Sequence, residues 1–323
     1  MSKKASRRDF IKGTSLMVGG VLGTGVMGSP VLVEAQQGST GASGSTSRGA
    51  QVRALLANGE PLLIPHVNNV FIARLAEVEG YTALRVGGSV VASSAHGLPN
   101  MGIVSIKEQI DFAGSIATQT NLPVVADGDD GGPSAVHVYR ATKGFETAGV
   151  AAVVFSDAVQ VRVGRNSGLV TKEDMVNKVK AAVEARRDPN FVLIIRNDSL
   201  SEGQTMEQAF ERGVAYAAAG ADMLQFSGLS LKDHAKARDV VGKPLLTSAR
   251  PTVSPAQLKA FKISMIFYHV ERVGYGAVLQ ALREWKTTGM VVNATKMEIS
   301  DEAFSRAVEA DRYRALGKKY GLK

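Results

Sequence analysis

The chain contains no cysteine among its 323 residues. It therefore has no disulfide, no thiol nucleophile and no thiolate ligand for a metal, so its stability depends on its hydrophobic core. No Gly-x-Gly-x-x-Gly sequence follows the first apolar run, which argues against a dinucleotide-binding fold. Clustered basic residues with interleaved aromatic ones are also lacking, so we expect no nucleic-acid partner.

The first 35 residues have the pattern of an export signal. Residues 6–12, Ser-Arg-Arg-Asp-Phe-Ile-Lys, match the twin-arginine motif, and a glycine-rich, weakly apolar stretch follows over residues 13–31. Val33-Glu34-Ala35 offers small residues for cleavage. The stretch is too short and glycine-rich for a typical membrane span, although a basic amphipathic N-terminus or an anchor is the alternative. We expect a periplasmic or secreted protein that the twin-arginine export machinery carries in folded form.

Residues 36–50 are rich in Gly, Ser and Thr, which predicts a flexible linker before a folded domain over residues 51–323. A domain of that length can bury a large core. The formal charge of the chain is +8, and the signal contributes five basic and two acidic residues, a net +3, which leaves +5. This mildly basic balance suits a small anionic substrate.

Short apolar runs alternate with segments of helical periodicity along the domain. Strands are predicted over residues 62–65, 83–86, 123–127, 151–156, 191–196, 222–226, 244–247 and 265–268. Helices are predicted between them over residues 70–79, 106–118, 135–148, 172–187, 205–219, 230–241 and 255–262, with a further one over 301–317. Eight strands alternating with helices predict a (β/α)8 TIM-type barrel with additional C-terminal helices, and an open doubly wound sheet is the alternative.

Polar residues follow the predicted strands, where a barrel carries its chemistry. Asp127 and Asp129 end the third strand, and two carboxylates so close repel each other unless a cation or a shared proton intervenes. Mg²⁺, a hard cation that prefers oxygen ligands, is the natural candidate, and acids that cap a loop or helix are the alternative. His66 and His269 follow the first and eighth strands, which are neighbours in a closed barrel, so their side chains could meet.

Several motifs together resemble the isocitrate lyase/phosphoenolpyruvate mutase superfamily, in particular its methylisocitrate-lyase-like branch. They are Gly80-Tyr81, Gly87-Gly88, Gly97-Leu98-Pro99-Asn100-Met101-Gly102, Leu122-Pro123-Val124-Val125-Ala126-Asp127-Gly128-Asp129, Glu173-Asp174-Met175 and Ala218-Ala219-Gly220-Ala221-Asp222. The resemblance runs from about Pro61 to Ala281. It implies a (β/α)8 barrel, often with the last helix swapped between subunits, in dimers or tetramers. It also implies Mg²⁺ and a 2-oxo or 2-hydroxy carboxylate that is cleaved at C–C or rearranged at C–P.

The resemblance implies roles for particular residues. Asp127 and Asp129 match the metal-site aspartates, and Arg196 matches the arginine that binds the substrate carboxylate. Gly88 matches part of a Ser-Gly-Gly loop whose N–H groups hold a carboxylate. The loop reads Gly87-Gly88-Ser89 here, so the hydroxyl is shifted or lost. Asn100 stands in the substrate region where the family usually has an aspartate.

Other positions depart from the family pattern. They are Asn68-Asn69 after the first strand, Ser156-Asp157 after the fourth, Arg162-Val163-Gly164-Arg165-Asn166 in place of the Cys/His loop, Ser227 after the sixth and Ser248 after the seventh. The loop that supplies the usual proton donor is thus replaced. Proton donation would fall to water, to His66 or His269, or to the 162–166 loop.

Three interpretations follow. The first is a divergent lyase-like enzyme that uses Mg²⁺ or Mn²⁺ and cleaves or decarboxylates a small 2-oxo or 2-hydroxy carboxylate through an enolate. The second is an exported barrel that has lost this chemistry and binds a small anion or serves as a subunit of a complex. The third is a changed chemistry in which His66, His269 and acids such as Asp127 hold a transition metal.

Overall fold

The computed structural model describes residues 46–159, 168–248 and 252–321. The predicted export signal and the 162–166 loop lie outside these residues. Eight strands form one parallel sheet. They are β1 Leu62–Pro65, β2 Leu84–Val86, β3 Val124–Asp127, β4 Ala152–Ser156, β5 Val192–Asn197, β6 Met223–Phe226, β7 Leu245–Ser248 and β8 Met265–Tyr268. Each strand lies within one residue of its predicted range.

The sheet closes into a barrel, which confirms the predicted (β/α)8 fold. Hydrogen-bonded neighbours run in the order β1-β8-β7-β6-β5-β4-β3-β2, so the first and eighth strands pair directly. The remaining gap between β1 and β2 is bridged at His66 and Arg85, where the N–H of Val67 donates to the carbonyl oxygen of Arg85 at 2.9 Å. Closure removes both exposed edges of the sheet.

Helices surround the barrel and continue beyond it. They are α1 Arg48–Ala57, α2 Val70–Val78, α3 Gly88–Val90, α4 Ile106–Ala117, α5 Ala135–Thr147, α6 Lys172–Ala185, α7 Met206–Ala219, α8 His234–Val241, α9 Pro255–Ala260, α10 Glu271–Thr288, α11 Asp301–Ala307 and α12 Ala310–Lys319. A π-helical turn, Val91–Ala95, follows α3. None of the described helices is both long and apolar enough to span a bilayer.

Four helical regions differ from expectation. Helix α1 begins at Arg48, inside the range predicted as linker, where the Ser47 hydroxyl caps it. Helices α3 and α10 lie outside the predicted helical ranges. The helix predicted over residues 301–317 is wrong as a single element, because Glu309 adopts a left-handed conformation (φ 51°) between α11 and α12. A left-handed residue cannot continue a right-handed helix.

The strands divide the core into two layers. Alternate side chains point into the barrel or outward against the helices, because successive residues of a strand face opposite sides. Val125, Val154, Ile194 and Leu246 belong to the interior cluster. The residues beside them, such as Val124, Val153, Leu193 and Leu245, belong to the layer under the helices. This alternation decides which polar side chains enter the barrel mouth.

Candidate active site

The barrel mouth collects the polar side chains that continue the interior rows of the strands. Arg85 on β2 lies two residues after Ala83 and continues its interior row, and Asp127 on β3 lies two residues after Val125 in the same way. Arg196 follows Ile194 on β5 in the same way. The interior rows of β1 and β8 continue to His66 and His269. Four of the predicted site residues therefore share one end of the barrel with Arg85.

Arg85, Asp127, Arg196 and Asp198 form a buried guanidinium–carboxylate cluster. Arg85 Nη2 donates to Asp127 Oδ2 at 3.0 Å, and its Nη1 donates to the carbonyl oxygen of Val125 at 3.3 Å. Arg196 Nε donates to Asp198 Oδ2 at 2.9 Å, and its Nη1 lies 3.8 Å from Asp127 Oδ2. Each carboxylate of the cluster thus has a guanidinium partner, and Asp127 lies between two of them.

The neighbouring charges set the ionisation of this cluster. Burial raises the pKa of Asp127, but Arg85 and Arg196 more than offset this, and the net pKa lies below its usual value. Burial lowers the pKa of Arg196, whereas Asp198 and Asp127 raise it, and the net pKa lies above its usual value. Burial lowers the pKa of Arg85, although Asp127 opposes this shift. Since a guanidinium keeps its proton in proteins, we expect Arg85, Asp127 and Arg196 all to be charged at neutral pH.

Asp129 has a different environment from Asp127. Its carboxylate accepts a hydrogen bond from the Gln109 amide, and only 8% of the residue is exposed. Burial, with the neighbouring charge of Asp127, raises the pKa of Asp129 to about 6. Its backbone is left-handed (φ 46°), a conformation that costs a residue with a side chain about 1 kcal/mol. The two aspartates are therefore close in sequence, but the pKa of Asp127 is lowered and that of Asp129 is raised.

His66 occupies the space above Gly87. A Cβ at position 87 would overlap Nε2 of the His66 imidazole, so only glycine fits there without displacing the ring. His66 itself is 1% exposed. Glycine at the first position of the Gly87-Gly88-Ser89 loop is thus coupled to the histidine at the end of β1.

A histidine–glutamate cluster, made of His66, His269 and Glu271, lies where β1 meets β8. The two imidazole rings have centroids 4.4 Å apart. His269 Nδ1 lies 2.7 Å from one oxygen of Glu271, and His66 Nδ1 lies 3.2 Å from the other. The His66 contact is an ion-pair distance without favourable hydrogen-bond geometry, since neither atom has a hydrogen-bond partner.

Burial and the neighbouring groups shift the pKa values of Glu271 and His66. Burial raises the pKa of Glu271, but the hydrogen bond with His269 and the close approach of His66 outweigh burial and lower the pKa to about 2. Burial lowers the pKa of His66 in spite of Glu271. The carboxylate is therefore ionised, and His66 favours its neutral form, in which one ring nitrogen can accept a proton.

The described structure leaves two of the predicted binding residues outside these clusters. Ser89 lies on α3, where its carbonyl oxygen accepts a hydrogen bond from the Ser93 hydroxyl. Asn100 is exposed beyond the π-helical turn. No hydrogen bond among the described residues joins the Asn100 side chain to Asp127 or Arg196. Gly88 does reach the site, because its N–H donates to Asp127 Oδ2 at 3.3 Å.

Sequence reasoning missed Arg85, Asp198 and Glu271. A usable signal exists for Arg85, which is the one charged residue within the short apolar strand β2 and shares its interior row with Ala83. Asp198 and Glu271 each come two residues after a predicted site residue. The two-residue period of β5, continued one residue past its end, would have placed Asp198 beside Arg196, whereas Glu271 is the first residue of α10 and no strand pattern reaches it.

Comparisons with known proteins settle the family. A family model described as phosphoenolpyruvate phosphomutase matches residues 52–286. The chain belongs to this family. The 2-methylisocitrate lyase of Shewanella oneidensis is 36% identical over 286 residues, which cover 84% of this chain and 94% of the relative. The phosphoenolpyruvate mutase/isocitrate lyase superfamily predicted from the motifs is thus confirmed.

Solved structures of the superfamily have the same fold. A phosphoenolpyruvate phosphomutase from Streptomyces platensis subsp. rosaceus superimposes with a TM-score of 0.77 at 28% identity, covering 84% of this chain and 99% of that one. A phosphonopyruvate hydrolase in complex with oxalate and Mg²⁺ superimposes with a TM-score of 0.76 at 26% identity, covering 86% and 100% of the two chains. That second complex makes the fit of Mg²⁺ to this chain a specific question.

The side chains at Asp127 do not fit a divalent cation. Its Oδ2 accepts from Arg85 and from the N–H of Gly88, and its Oδ1 accepts from the N–H of Asp129 at 3.2 Å. Two guanidinium groups, 3.0 and 3.8 Å from Oδ2, already compensate the charge of this carboxylate, which a bound Mg²⁺ would otherwise do. This arrangement departs from the predicted Mg²⁺ site at Asp127 and Asp129, because the cation beside Asp127 is supplied by the chain itself.

The histidine–glutamate cluster is better suited to a metal in its choice of atoms. His66, His269 and Glu271 each offer one ligand atom, and these atoms lie within 4.8 Å of one another. Two imidazoles and a carboxylate favour a transition metal over Mg²⁺. The third interpretation grouped the histidines with Asp127, but the carboxylate between them is that of Glu271.

Proposed function

We propose that this chain is a carbon–carbon lyase-like enzyme that acts on a small 2-oxo or 2-hydroxy carboxylate by C–C cleavage or decarboxylation through an enolate. The observation that carries the proposal is the pair of guanidinium groups, Arg85 and Arg196, in the mouth of a barrel of this family. Relatives named as lyases and as a phosphonopyruvate hydrolase support the substrate class.

Arg196 is the group that would bind the substrate carboxylate. Its Nε donates to Asp198, and the side chain is 17% exposed, so part of the guanidinium is accessible to a substrate. A guanidinium fixed in this way can form paired hydrogen bonds to a carboxylate and so orient the scissile bond. Ser156 supports the arrangement, since its hydroxyl donates to Asp198.

The enolate needs a positive charge beside its oxygen and a proton at its carbon. When the C–C bond breaks, its electron pair passes into the enolate, and the fixed charges of Arg85 and Arg196 would stabilise the oxygen that receives it. His66 and His269 are the candidates for proton transfer, because a hydrogen bond with Glu271 fixes the ring of His269, and His66 Nδ1 lies 3.2 Å from the same carboxylate. His269, one-third exposed, is the more accessible of the two.

The test is turnover of oxaloacetate, 2-methylisocitrate and phosphonopyruvate by the purified protein, with and without Mg²⁺ or Mn²⁺. We expect turnover of at least one of them, and Arg196→Ala should lower kcat/KM about 100-fold or more, through loss of a bidentate contact made to the substrate. Arg196→Lys keeps the charge but not the two parallel donors, and its kcat/KM should lie between those of the wild type and Arg196→Ala. Absence of turnover of all three by the wild type would contradict the proposal as stated.

The replaced family positions, such as Ser227 and Ser248, favour the alternative of an anion-binding barrel without lyase chemistry. This alternative predicts that oxalate binds in calorimetry and that Arg196→Ala abolishes its binding, while no substrate is converted. A place as a subunit of a complex would instead leave oxalate unbound.

We also propose export by the twin-arginine route. The motif around Arg7 and Arg8 supports this proposal. The full chain should be found in the periplasm or medium after fractionation, whereas the Arg7→Lys/Arg8→Lys variant should remain in the cytoplasm. Equal distribution of the two proteins would contradict the proposal.

We further propose that the chain forms a homo-oligomer, either a dimer or a tetramer. Helix α10 exposes apolar side chains along its length, with Val278 60%, Leu282 61% and Trp285 67% accessible. Monomeric proteins rarely leave so continuous an apolar row in water. A second copy of the chain would cover this row, and light scattering measures the resulting mass directly.

A further inference from the structure

The side chain of Arg85 extends from β2 along the inside of the barrel. In the pairing of β2 with β3, Arg85 stands opposite Val125, and Asp127 is the next interior residue along β3. The guanidinium spans these two positions, since Nη1 donates to the carbonyl oxygen of Val125 and Nη2 to Asp127 Oδ2. Only 2% of Arg85 is exposed. A buried arginine is costly unless an anion compensates it, and Asp127 is the anion in contact with it.

The Asp127 carboxylate accepts three hydrogen bonds from donors of the chain. Oδ2 receives Arg85 and the N–H of Gly88, and Oδ1 receives the N–H of Asp129. Arg196 Nη1 lies 3.8 Å from Oδ2. A divalent cation at this carboxylate would therefore meet two fixed positive charges, which repel it within a weakly screened interior.

The second aspartate does not restore the balance. Asp129 is bonded to the neutral amide of Gln109. Asp198, the other acid of the cluster, is committed to Arg196. The two guanidinium groups thus pair with Asp127 and Asp198, and Asp129 interacts with the charge of Arg196 without a direct ion pair among the described residues.

We infer that the guanidinium of Arg85 takes the place of a divalent cation at Asp127, so that this barrel binds no Mg²⁺ or Mn²⁺ at its β3 carboxylates. Arg85 then supplies a fixed positive charge at the barrel mouth where a bound ion would otherwise supply it. The catalytic consequence rests on the proposed function, whereas the binding statement does not. The inference also predicts a gain of function: removal of the Arg85 charge frees Asp127 to bind metal.

Mn²⁺ binding to the metal-stripped full chain tests this inference, with the free ion followed by electron paramagnetic resonance. Wild type and Asp127→Asn should bind Mn²⁺ equally weakly. Arg85→Met, which keeps an unbranched apolar stem and removes the charge, should bind Mn²⁺ at least about 100-fold more tightly than wild type, since one positive charge near the ion is lost. The double variant Arg85→Met/Asp127→Asn should lose this gain, and Arg85→Lys should resemble wild type.

A wild type that binds Mn²⁺ tightly and loses this binding in Asp127→Asn would overturn the inference, and this comparison stands even if Arg85→Met fails to fold. An Arg85→Met protein that folds and gains no Mn²⁺ affinity would overturn it as well. Wild-type binding that survives Asp127→Asn and disappears in His66→Gln would place a cation at the histidine–glutamate cluster and leave the inference about Asp127 supported. Since no outcome depends on turnover, failure of the proposed enzyme activity is recognised separately in the substrate assays.

Discussion

The ion pair between Arg85 and Asp127 can be measured as a coupling in the free energy of unfolding. The perturbations are Arg85→Met, Asp127→Asn and the double variant. Asp127→Asn leaves the charge of Arg85 buried without this carboxylate, with the carbonyl oxygens of Val125 and of the new amide as acceptors and with the charge of Arg196 nearby. Arg85→Met leaves Asp127 with Arg196 and two backbone N–H groups. The two single variants therefore should not cost the same.

The structure sets the expected magnitudes. For charges about 4 Å apart and an effective dielectric constant of about 20, the attraction is about 4 kcal/mol. Loss of one partner from a buried pair typically costs about 3–5 kcal/mol, and we expect Asp127→Asn to fall in this range. Arg85→Met should cost about 1–3 kcal/mol, because the remaining donors still compensate Asp127. The double variant should cost less than the sum of the two, with a coupling of about 2–4 kcal/mol.

The assay is urea unfolding followed by circular dichroism at pH 7.5, with unchanged m-values required of each variant. The matched control is the exposed pair Lys107–Asp111 on α4, whose side chains are 74% and 59% accessible. A cycle built with Lys107→Met and Asp111→Asn should give a coupling below about 0.5 kcal/mol. A coupling at Arg85 and Asp127 no larger than this control would refute the buried pair, and with it the argument against a metal at Asp127.

Three further predictions concern the site and the surface. Because the folded-state pKa of Asp129 is raised to about 6, the wild type should gain stability as the pH falls through 6. At pH 7.5 Asp129→Asn should be more stable than the wild type by up to about 3 kcal/mol. Urea unfolding at a series of pH values should show this difference disappearing below about pH 4. Gly87→Ala should destabilise by about 1–3 kcal/mol through overlap with the His66 ring, and the same substitution made in a His66→Ala background should cost much less; equal costs in both backgrounds would contradict the contact. Leu282→Glu should lower the mass measured by light scattering to that of the monomer, whereas Val136→Glu, at a residue that is 77% exposed on α5, should leave it unchanged; no change in either variant would argue against α10 as the interface.

Much of the fold could be predicted because it depends on local patterns. A run of apolar residues such as Val124-Val125-Ala126 is buried on both faces of a parallel strand, and this pattern is visible without knowledge of any partner. Helix boundaries were less accessible. The break at Glu309 depends on one backbone angle, which no periodicity in the sequence indicates.

The histidines show where local reasoning ends. The neighbouring positions of β1 and β8 in a closed barrel predict that His66 and His269 can approach each other, and their ring centroids lie 4.4 Å apart. Glu271, whose carboxylate contacts Nδ1 of both rings, follows His269 by two residues. Its role depends on how the chain enters α10 after β8, and no strand pattern extends to that turn.

The sequence by itself determined the order of strands and helices and the residues that continue the interior rows into the barrel mouth, because both follow from the two-residue period of a buried strand. Only the tertiary structure decided which charges meet there. Arg85 and Asp127 are separated by more than forty residues of chain, and their contact requires the register of β2 against β3 together with the direction of one long side chain. Electrostatic partners are chosen by distances of a few ångströms, and such distances exist only once the barrel has closed.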